Sequence, residues 1–166
     1  MKRQLLLVIL IIFVSGCGYS LANRSSSQLH GRSLYVGMFA NSTYQPNLEG
    51  QLRLAVMNEL VAGPGQLVPE NLADLVLSGE IESLAIETAA YSSQDKANFY
   101  RLILILQARL VDKKSGRVIW KTKETFRDEY PATADLALQR NARDAAIAAI
   151  CKSSAIRLVR QLNQSF

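Results

Sequence analysis

Two spacings of hydrophobic residues divide most of the chain into strands and helices. Four stretches are hydrophobic at every second position, which predicts strands with one buried face: 34–39, 74–88, 99–111 and 117–129. Two other segments repeat hydrophobic residues at every third or fourth position. They predict one helix from Leu48 to a stop at Gly63-Pro64-Gly65 and another from about Thr133 to Leu162.

The same spacings predict which side chains are buried. In the first strand Leu34, Val36 and Met38 alternate with Tyr35, Gly37 and Phe39, so the two sets should lie on opposite faces. From Asp74 to Thr88 the hydrophobic parity changes near Glu82-Ser83, and we place a β-bulge there because a shift of one residue turns every later side chain to the opposite face. The core-facing residues of the two helices are Leu48, Leu52, Ala55, Val56 and Leu60, and then Leu138, Ala142, Ala145, Ala149, Ile156 and Val159.

The last two strands form a hairpin whose turn, Asp112 to Gly116, fixes which residues lie opposite each other. The predicted pairs are Arg109 with Lys121, Gln107 with Lys123, Ile105 with Thr125 and Ile103 with Arg127. The even-numbered residues are the more hydrophobic and should meet the helices: Leu102, Leu104, Leu106, Leu110, Trp120 and Phe126.

These elements predict an α+β fold, a two-layer sandwich with two helices on one face of a mainly antiparallel, four-stranded sheet. The element order is β-α-β-β-β-α, and parallel βαβ crossovers are not expected. Residues 33–166 form a single domain in this interpretation.

The first 16 residues have the composition of a secretory signal, with two basic residues before an apolar run from Leu5 to Val14. Ten apolar residues make roughly 15 Å of helix, about half of a hydrocarbon core of roughly 30 Å. A stable membrane span is therefore not expected. The order Val14-Ser15-Gly16-Cys17 is that of a bacterial lipobox, which predicts a signal over residues 1–16, acylation of Cys17 and a serine-rich tether over residues 17–32. The alternative is a buried or disulfide-bonded Cys17 after an ordinary signal.

Charge and cysteine content limit the partners. Cleavage removes two positive charges and lowers the formal net charge from +5 to +3, an excess that suits an anionic surface and does not call for nucleic acid. After acylation of Cys17, Cys151 would be the one remaining thiol, so no intrachain disulfide is expected. Cys151 is interpreted as a small buried residue; a reactive or intermolecular thiol is the alternative.

The residues needed for catalysis do not occur in a suitable pattern. His30, the only histidine, lies in the tether, so a nucleophilic mechanism lacks its base, and no Cys/His cluster suggests a metal. Glu80 and Glu82 share a strand face as paired carboxylates could, but solvated residues on the outer face of the sheet are the favoured interpretation. We therefore predict no enzyme, no metal and no cofactor, and a periplasmic hydrolase is the weakest function hypothesis.

The odd-numbered face of the hairpin combines cations with aliphatic residues: Arg101, Arg109, Lys121, Lys123 and Arg127 with Ile103 and Ile105. Such a surface suits a ligand with phosphates and acyl chains, or the acidic lumen of a barrel. The alternative is a charged sheet face in contact with solvent.

Five segments carry a family resemblance through their order and spacing: Cys17 to Leu21, Phe39 to Pro46, Ala73 to Ile81, Tyr100 to Trp120, and Glu129-Tyr130. Over nearly the whole mature chain they resemble the LptE family, the lipoprotein subunit of the outer-membrane lipopolysaccharide translocon. The resemblance implies a two-layer α/β domain that lies inside the barrel of LptD, helps that barrel assemble and binds lipopolysaccharide during its delivery to the outer leaflet.

By the same resemblance, the ligand contacts are basic residues in the loop between the second and third strands and near the start of the last helix. The matching positions are Lys96 in the loop and Arg140 or Arg143 in the helix. Residue 18 is glycine, so the retention signal for the inner membrane is missing. The resemblance therefore implies a lipid-anchored outer-membrane protein whose domain faces the periplasm or lies within a barrel lumen. A structural lipoprotein that tethers envelope components without handling lipid is the second hypothesis.

Overall fold

The computed structural model describes residues 31–62, 66–91 and 97–165, without the side chains of residues 90, 91 and 97. Its elements are β1 (Ser33–Val36), β2 (Ala40–Asn41), α1 (Leu48–Val61), β3 (Gln66–Leu67), a 3-10 turn (Glu70–Leu72), β4 (Leu75–Tyr91), β5 (Ala97–Asp112), β6 (Val118–Pro131) and α2 (Leu136–Gln164). The signal, Cys17 and the tether up to His30 lie outside the described residues, as do Gly63-Pro64-Gly65 and Lys96. In the described part of the chain, no helix is long and apolar enough to cross a membrane.

Three long strands form the antiparallel centre of the sheet. β5 pairs with β4 on one side and with β6 on the other. The register of β5 with β6 places Arg109 opposite Lys121 and Ile105 opposite Thr125, and all four predicted pairs are confirmed. Leu102, Leu104, Leu106 and Leu110 are fully buried, so the predicted core face of the hairpin is also confirmed.

The other edge of the sheet differs from the prediction. The sheet has six strands, not four, in the order β3-β1-β4-β5-β6 with β2 beside β4. β1 runs parallel to β3 and β4, and β2 runs parallel to β4. The expectation that parallel crossovers are absent is therefore wrong, because α1 returns the chain to the end of the sheet where β1 began. The α+β class, the mainly antiparallel sheet and the two helices on one face are confirmed.

The first predicted strand stops at Val36, and Phe39 enters the core in place of Met38. Phe39 is 1% exposed and Met38 is 59% exposed. The reason is Gly79 on β4, which leaves room for the aromatic ring: a Cβ added there would lie 2.7 Å from Cε1 of Phe39. Met38, which the alternation places on the same face as Leu34 and Val36, therefore lies on the opposite side of the sheet.

β4 contains the predicted bulge. Ile81 pairs with Leu106 and Ser83 pairs with Ile105, so Glu82 is the extra residue between them. Its carboxylate oxygen Oε2 lies 2.6 Å from Nζ of Lys123, on the side of the sheet away from the helices. The bulge thus turns an acidic side chain toward the cations of the hairpin.

α1 buries the predicted residues Leu48, Leu52, Val56 and Leu60, while Ala55 is half-buried. α2 begins at Leu136 because the Asp135 carboxylate accepts hydrogen bonds from the N–H groups of the first turn. The buried stripe of α2 consists of Ala146, Ile147, Ile150, Cys151, Ser154, Ala155, Leu158, Val159 and Leu162. Of the predicted stripe, Val159 is confirmed and Ala142 packs partly buried against the core. The positions predicted for Leu138, Ala145 and Ala149 are wrong, since these residues are exposed. In an alanine-rich segment the two faces of a helix differ little in hydrophobicity, so the spacing does not show which face is buried.

The start of the described chain is held against the hairpin turn. Arg32 donates a hydrogen bond to Asp112 at 2.7 Å, and the Ser33 hydroxyl donates one to Asp74 at 2.9 Å. The backbone N–H of Ser115, followed by Arg32, lowers the pKa of the Asp112 carboxyl to about 2. These contacts tie the start of β1 to the start of β4 and the end of β5.

Candidate functional site

The two helices cover one face of the sheet and leave the other face open. We call this open side the outer face; it is formed by the odd-numbered residues from Arg101 to Arg109 on β5 and from Lys121 to Glu129 on β6, with Ser78, Glu80 and Glu82 of β4. A concavity of about 760 Å³ lies on it, and its lining includes Met38, Ser78, Glu80, Arg109, Val118 and Lys121. The outer face is therefore a shaped surface with both charged and apolar walls.

Two cations of the outer face are paired with carboxylates. Arg101 donates two hydrogen bonds to Glu129, at 2.9 Å from Nε and 2.6 Å from Nη2. Lys123 pairs with Glu82, which also accepts a hydrogen bond from Gln107. The contact with Lys123 is the main reason that the pKa of the Glu82 carboxyl is lowered. These contacts partly neutralise the positive charge that the sequence predicts for this face.

Arg109 and Lys121 differ from Arg101 and Lys123 in their surroundings. They lie directly opposite each other on β5 and β6, and both are exposed. Nε of Arg109 donates a hydrogen bond to the Ser78 hydroxyl at 3.3 Å. Among the described residues, no carboxylate oxygen lies within 4.0 Å of either cation, and the same holds for the exposed Arg127.

The remaining predicted contacts do not join this group. Lys96 lies outside the described residues, and Arg140 is exposed on the first turns of α2. Arg143 is half-buried and donates a hydrogen bond from Nη2 to Gln45 at 2.5 Å, while its Nε is buried without a partner among the described atoms. The structure thus brings together the hairpin cations and places the two helix candidates elsewhere.

The segment before α1, which carries part of the resemblance, forms an ordered loop. The Asn41 side chain donates hydrogen bonds to the Gln45 carbonyl at 2.9 Å and to Glu49 at 2.7 Å, and it accepts one from the Thr43 N–H at 3.0 Å. Arg143 of α2 contacts the same loop through Gln45. These residues therefore connect β2, α1 and α2, a role that stabilises the fold.

The two carboxylates proposed from sequence as a possible pair have separate partners. Glu80 accepts a hydrogen bond from the Ser42 hydroxyl at 2.8 Å, whereas Glu82 contacts Lys123 and Gln107. Within the described ranges, no group of three or more His, Cys, Asp and Glu residues is arranged to hold a metal ion.

The sequence pattern did not indicate that apolar residues line part of the concavity. Met38, Ala40 and Val118 line it, and Val118 reaches the outer face because a register shift after Leu110 leaves Ile119 without a partner on β5. One available signal was Gly79, since a glycine within a strand often marks a close approach of another group. It would have indicated that Phe39 points inward and Met38 outward.

Cys151 should be dispensable. It is a buried free thiol on α2, and burial raises its pKa to about 11, which leaves it protonated and unreactive near neutral pH. Cys151→Ala should cost at most about 1 to 2 kcal/mol in the free energy of unfolding and leave assembly in the membrane unchanged. Urea unfolding and a growth complementation assay would check this, and loss of a covalent crosslink on substitution would contradict it.

These features define an α+β domain with an open sheet face of cationic and apolar residues, backed by two helices. A family model of lipopolysaccharide-assembly proteins, LptE, matches residues 31–162. The chain belongs to this LptE family, which is a family of assembly proteins and not of enzymes. No curated protein matches the chain with significant sequence similarity.

Solved structures with a similar fold come from several bacteria. Lipoprotein B from Nitrosomonas europaea has a TM-score of 0.58 at 12% identity, over 88% of this chain and 90% of that one. The rare lipoprotein B from Shewanella oneidensis has a TM-score of 0.55 at 17% identity, over 78% and 96%. PelC from Paraburkholderia phytofirmans, a dodecamer, has a TM-score of 0.56 at 18% identity, over 80% and 90%. At these identities the likeness establishes the fold alone.

Proposed function

We propose that this protein is a lipid-anchored outer-membrane lipoprotein that helps assemble and plug an LptD-like β-barrel and binds lipopolysaccharide during its delivery to the outer leaflet. The observation that carries the proposal is the LptE family match over residues 31–162. The proposed signal, residues 1–16, and the tether, residues 17–32, join the domain to an acylated Cys17. Several acyl chains, at about 0.8 kcal/mol per buried methylene, give a durable anchor.

The surface chemistry agrees with an amphiphilic anionic ligand. The lipid part of lipopolysaccharide carries phosphates beside acyl chains, and the outer face offers cations beside apolar side chains. The proposed contacts are Lys96, Arg109, Lys121, Lys123, Arg127, Arg140 and Arg143. In this set Lys123 and Arg143 already have protein partners, so a ligand that binds them has to replace or share those contacts.

The proposal is tested by isolating the protein from detergent-extracted membranes with a C-terminal affinity tag. We expect a large outer-membrane β-barrel to copurify, and intact-mass analysis to show a chain that begins at Cys17 and carries acyl groups. A Cys17→Ala variant with the same tag is the control for acylation. A chain that retains Lys2, or that begins elsewhere without acyl mass, would contradict the anchor.

The second hypothesis, a structural lipoprotein that tethers envelope components, is favoured if the isolated protein carries no barrel and no lipopolysaccharide. PelC, which has a similar fold, is a dodecamer, so an assembly of identical subunits is the form in which this alternative is looked for. Size-exclusion chromatography with light scattering of the isolated complex distinguishes a barrel complex from a ring of identical subunits.

A further inference from the structure

We propose that Arg109 and Lys121 together bind one phosphate group of a lipid whose apolar part lies against Met38 and Val118. The inference rests on the proposed function and deepens it, since it assigns one chemical group of the ligand to one pair of side chains. It also separates these two residues from the other cations of the outer face.

The two positive charges occupy opposed positions in the sheet. Arg109 and Lys121 are directly opposite each other on neighbouring antiparallel strands, where β-carbon atoms lie about 4.5 to 5.5 Å apart. Like charges in this position destabilise a sheet, and elsewhere on this face Arg101 is opposite Glu129, its partner in an ion pair. An anion held between Arg109 and Lys121 would remove the repulsion.

The two neighbouring acids, Glu80 and Glu82, contact other side chains. Glu82 contacts Lys123 and Gln107, and Glu80 accepts a hydrogen bond from Ser42. In the described part of the chain, neither acid comes within 4.0 Å of Arg109 or Lys121. Glu80 keeps its negative charge, because its partner is a neutral hydroxyl. Among the lining residues, Arg109 and Lys121 outnumber this one carboxylate, and their excess positive charge is available to a ligand.

The nitrogen donors of Arg109 and Lys121 have a geometry that suits a phosphate. The Ser78 hydroxyl accepts a hydrogen bond from Nε of Arg109 at 3.3 Å, which orients the guanidinium and leaves its two terminal nitrogens for an anion. A guanidinium can donate two parallel hydrogen bonds to a phosphate, and a lysine ammonium adds a point charge. Together the two side chains match a phosphate better than a single cation does.

The apolar wall identifies the rest of the ligand. Met38 and Val118 line the same concavity as the two cations and are 59% and 51% exposed. Exposed apolar side chains beside a charged pair suit a molecule that joins a phosphate to hydrocarbon. A free phosphate ion would use the cations and gain nothing from this wall.

The test is a set of binding titrations of the full-length protein in detergent, with the acylated, phosphorylated disaccharide part of lipopolysaccharide as the probe. The same disaccharide lipid without phosphates and inorganic phosphate alone are the comparison probes. The variants are Arg109→Gln and Lys121→Gln. Lys152→Gln is the matched control, because Lys152 is an exposed cation on α2 and its loss changes the net charge equally.

We expect Arg109→Gln and Lys121→Gln each to weaken binding of the phosphorylated lipid about tenfold, a loss of roughly 1.4 kcal/mol. Binding of the dephosphorylated lipid should be nearly unchanged in all proteins, and Lys152→Gln should stay within about twofold of the parent. The melting temperature of the two variants should be unchanged or slightly higher, because the repulsion between the paired cations is removed.

Any other outcome of the titrations would contradict a specific part of the proposal. If the parent binds the lipid but both variants bind it equally well, or if Lys152→Gln is weakened as much, the phosphate site is wrong and the proposed function stands. If inorganic phosphate binds as tightly as the lipid, the assignment of the apolar wall is wrong. If the parent binds neither lipid, the lipid-binding part of the proposed function fails together with this inference.

Discussion

Replacing Gly79 with alanine should destabilise the domain by about 3 kcal/mol, at the upper end of the cost of overpacking a core. The added Cβ would lie 2.7 and 2.8 Å from two carbons of the Phe39 ring and would also collide with the backbone carbonyl of Gln107. The ring is fully buried, and the carbonyl belongs to the neighbouring strand. Neither group can move without disturbing the pairing of β4 with β5.

Urea unfolding followed by circular dichroism measures this effect, and Ser78→Ala is the matched control. Ser78 is the preceding residue and its side chain lies on the outer face, so its substitution should change stability by less than about 0.5 kcal/mol. The double variant Phe39→Leu, Gly79→Ala should recover part of the loss, since the ring edge is removed while the carbonyl contact remains. Equal stability of Gly79→Ala and the parent would show that Phe39 does not pack over Gly79.

Leu104→Ala should cost about 3 kcal/mol, whereas Ile105→Ala, its neighbour on β5, should cost about 1 kcal/mol or less. Leu104 is fully buried between the sheet and the helices, and its removal leaves a cavity in the middle of the central strand. Ile105 lies on the outer face opposite Thr125 and Ser83, where only part of its side chain is buried.

The comparison tests which face of the hairpin is covered. It is made on the isolated protein by urea unfolding, with equal slopes required so that the two free energies can be compared. A larger cost for Ile105→Ala than for Leu104→Ala would mean that the helices pack on the odd-numbered face, and the outer face would then be wrongly assigned. In the complex with a barrel, a rise in the cost of Ile105→Ala alone would indicate that the partner covers this face.

The sequence predicted the parts of the fold that depend on neighbours along the chain. Leucine at positions 102, 104, 106 and 110, against Arg101, Gln107 and Arg109 at odd positions, specified the core face. The short turn after Asp112 specified the register of β5 with β6. The parity change at Glu82 located the bulge. Each of these features follows from a local period or a tight turn, and both are present in the chain before any long-range contact forms.

The contacts between distant segments could not be predicted in this way. Strands of two residues, such as β2 and β3, are too short to show a period. β2 exists because the chain passes beside β4, and β3 exists because α1 brings the chain back beside β1. The buried stripe of α2 was predicted correctly only in part, at Val159 and Ala142, because alanine fits both the core and the surface. Only the packing of larger side chains such as Ile147 and Leu158 against the sheet decides which way this helix faces.

The candidate site shows the same division. The sequence alone determined that five cations share one face of the hairpin, because their odd numbers place them there. The same hairpin register places Glu129 opposite its partner Arg101. Only the tertiary structure decided that Lys123 is neutralised, because the bulge of β4 places Glu82 beside it. It also decided that Met38 joins Arg109 and Lys121, since Phe39 fills the space above Gly79. The period of the sequence determines on which face of the sheet a side chain lies. Its partner on that face depends on which strands become neighbours and on where a bulge shifts their register.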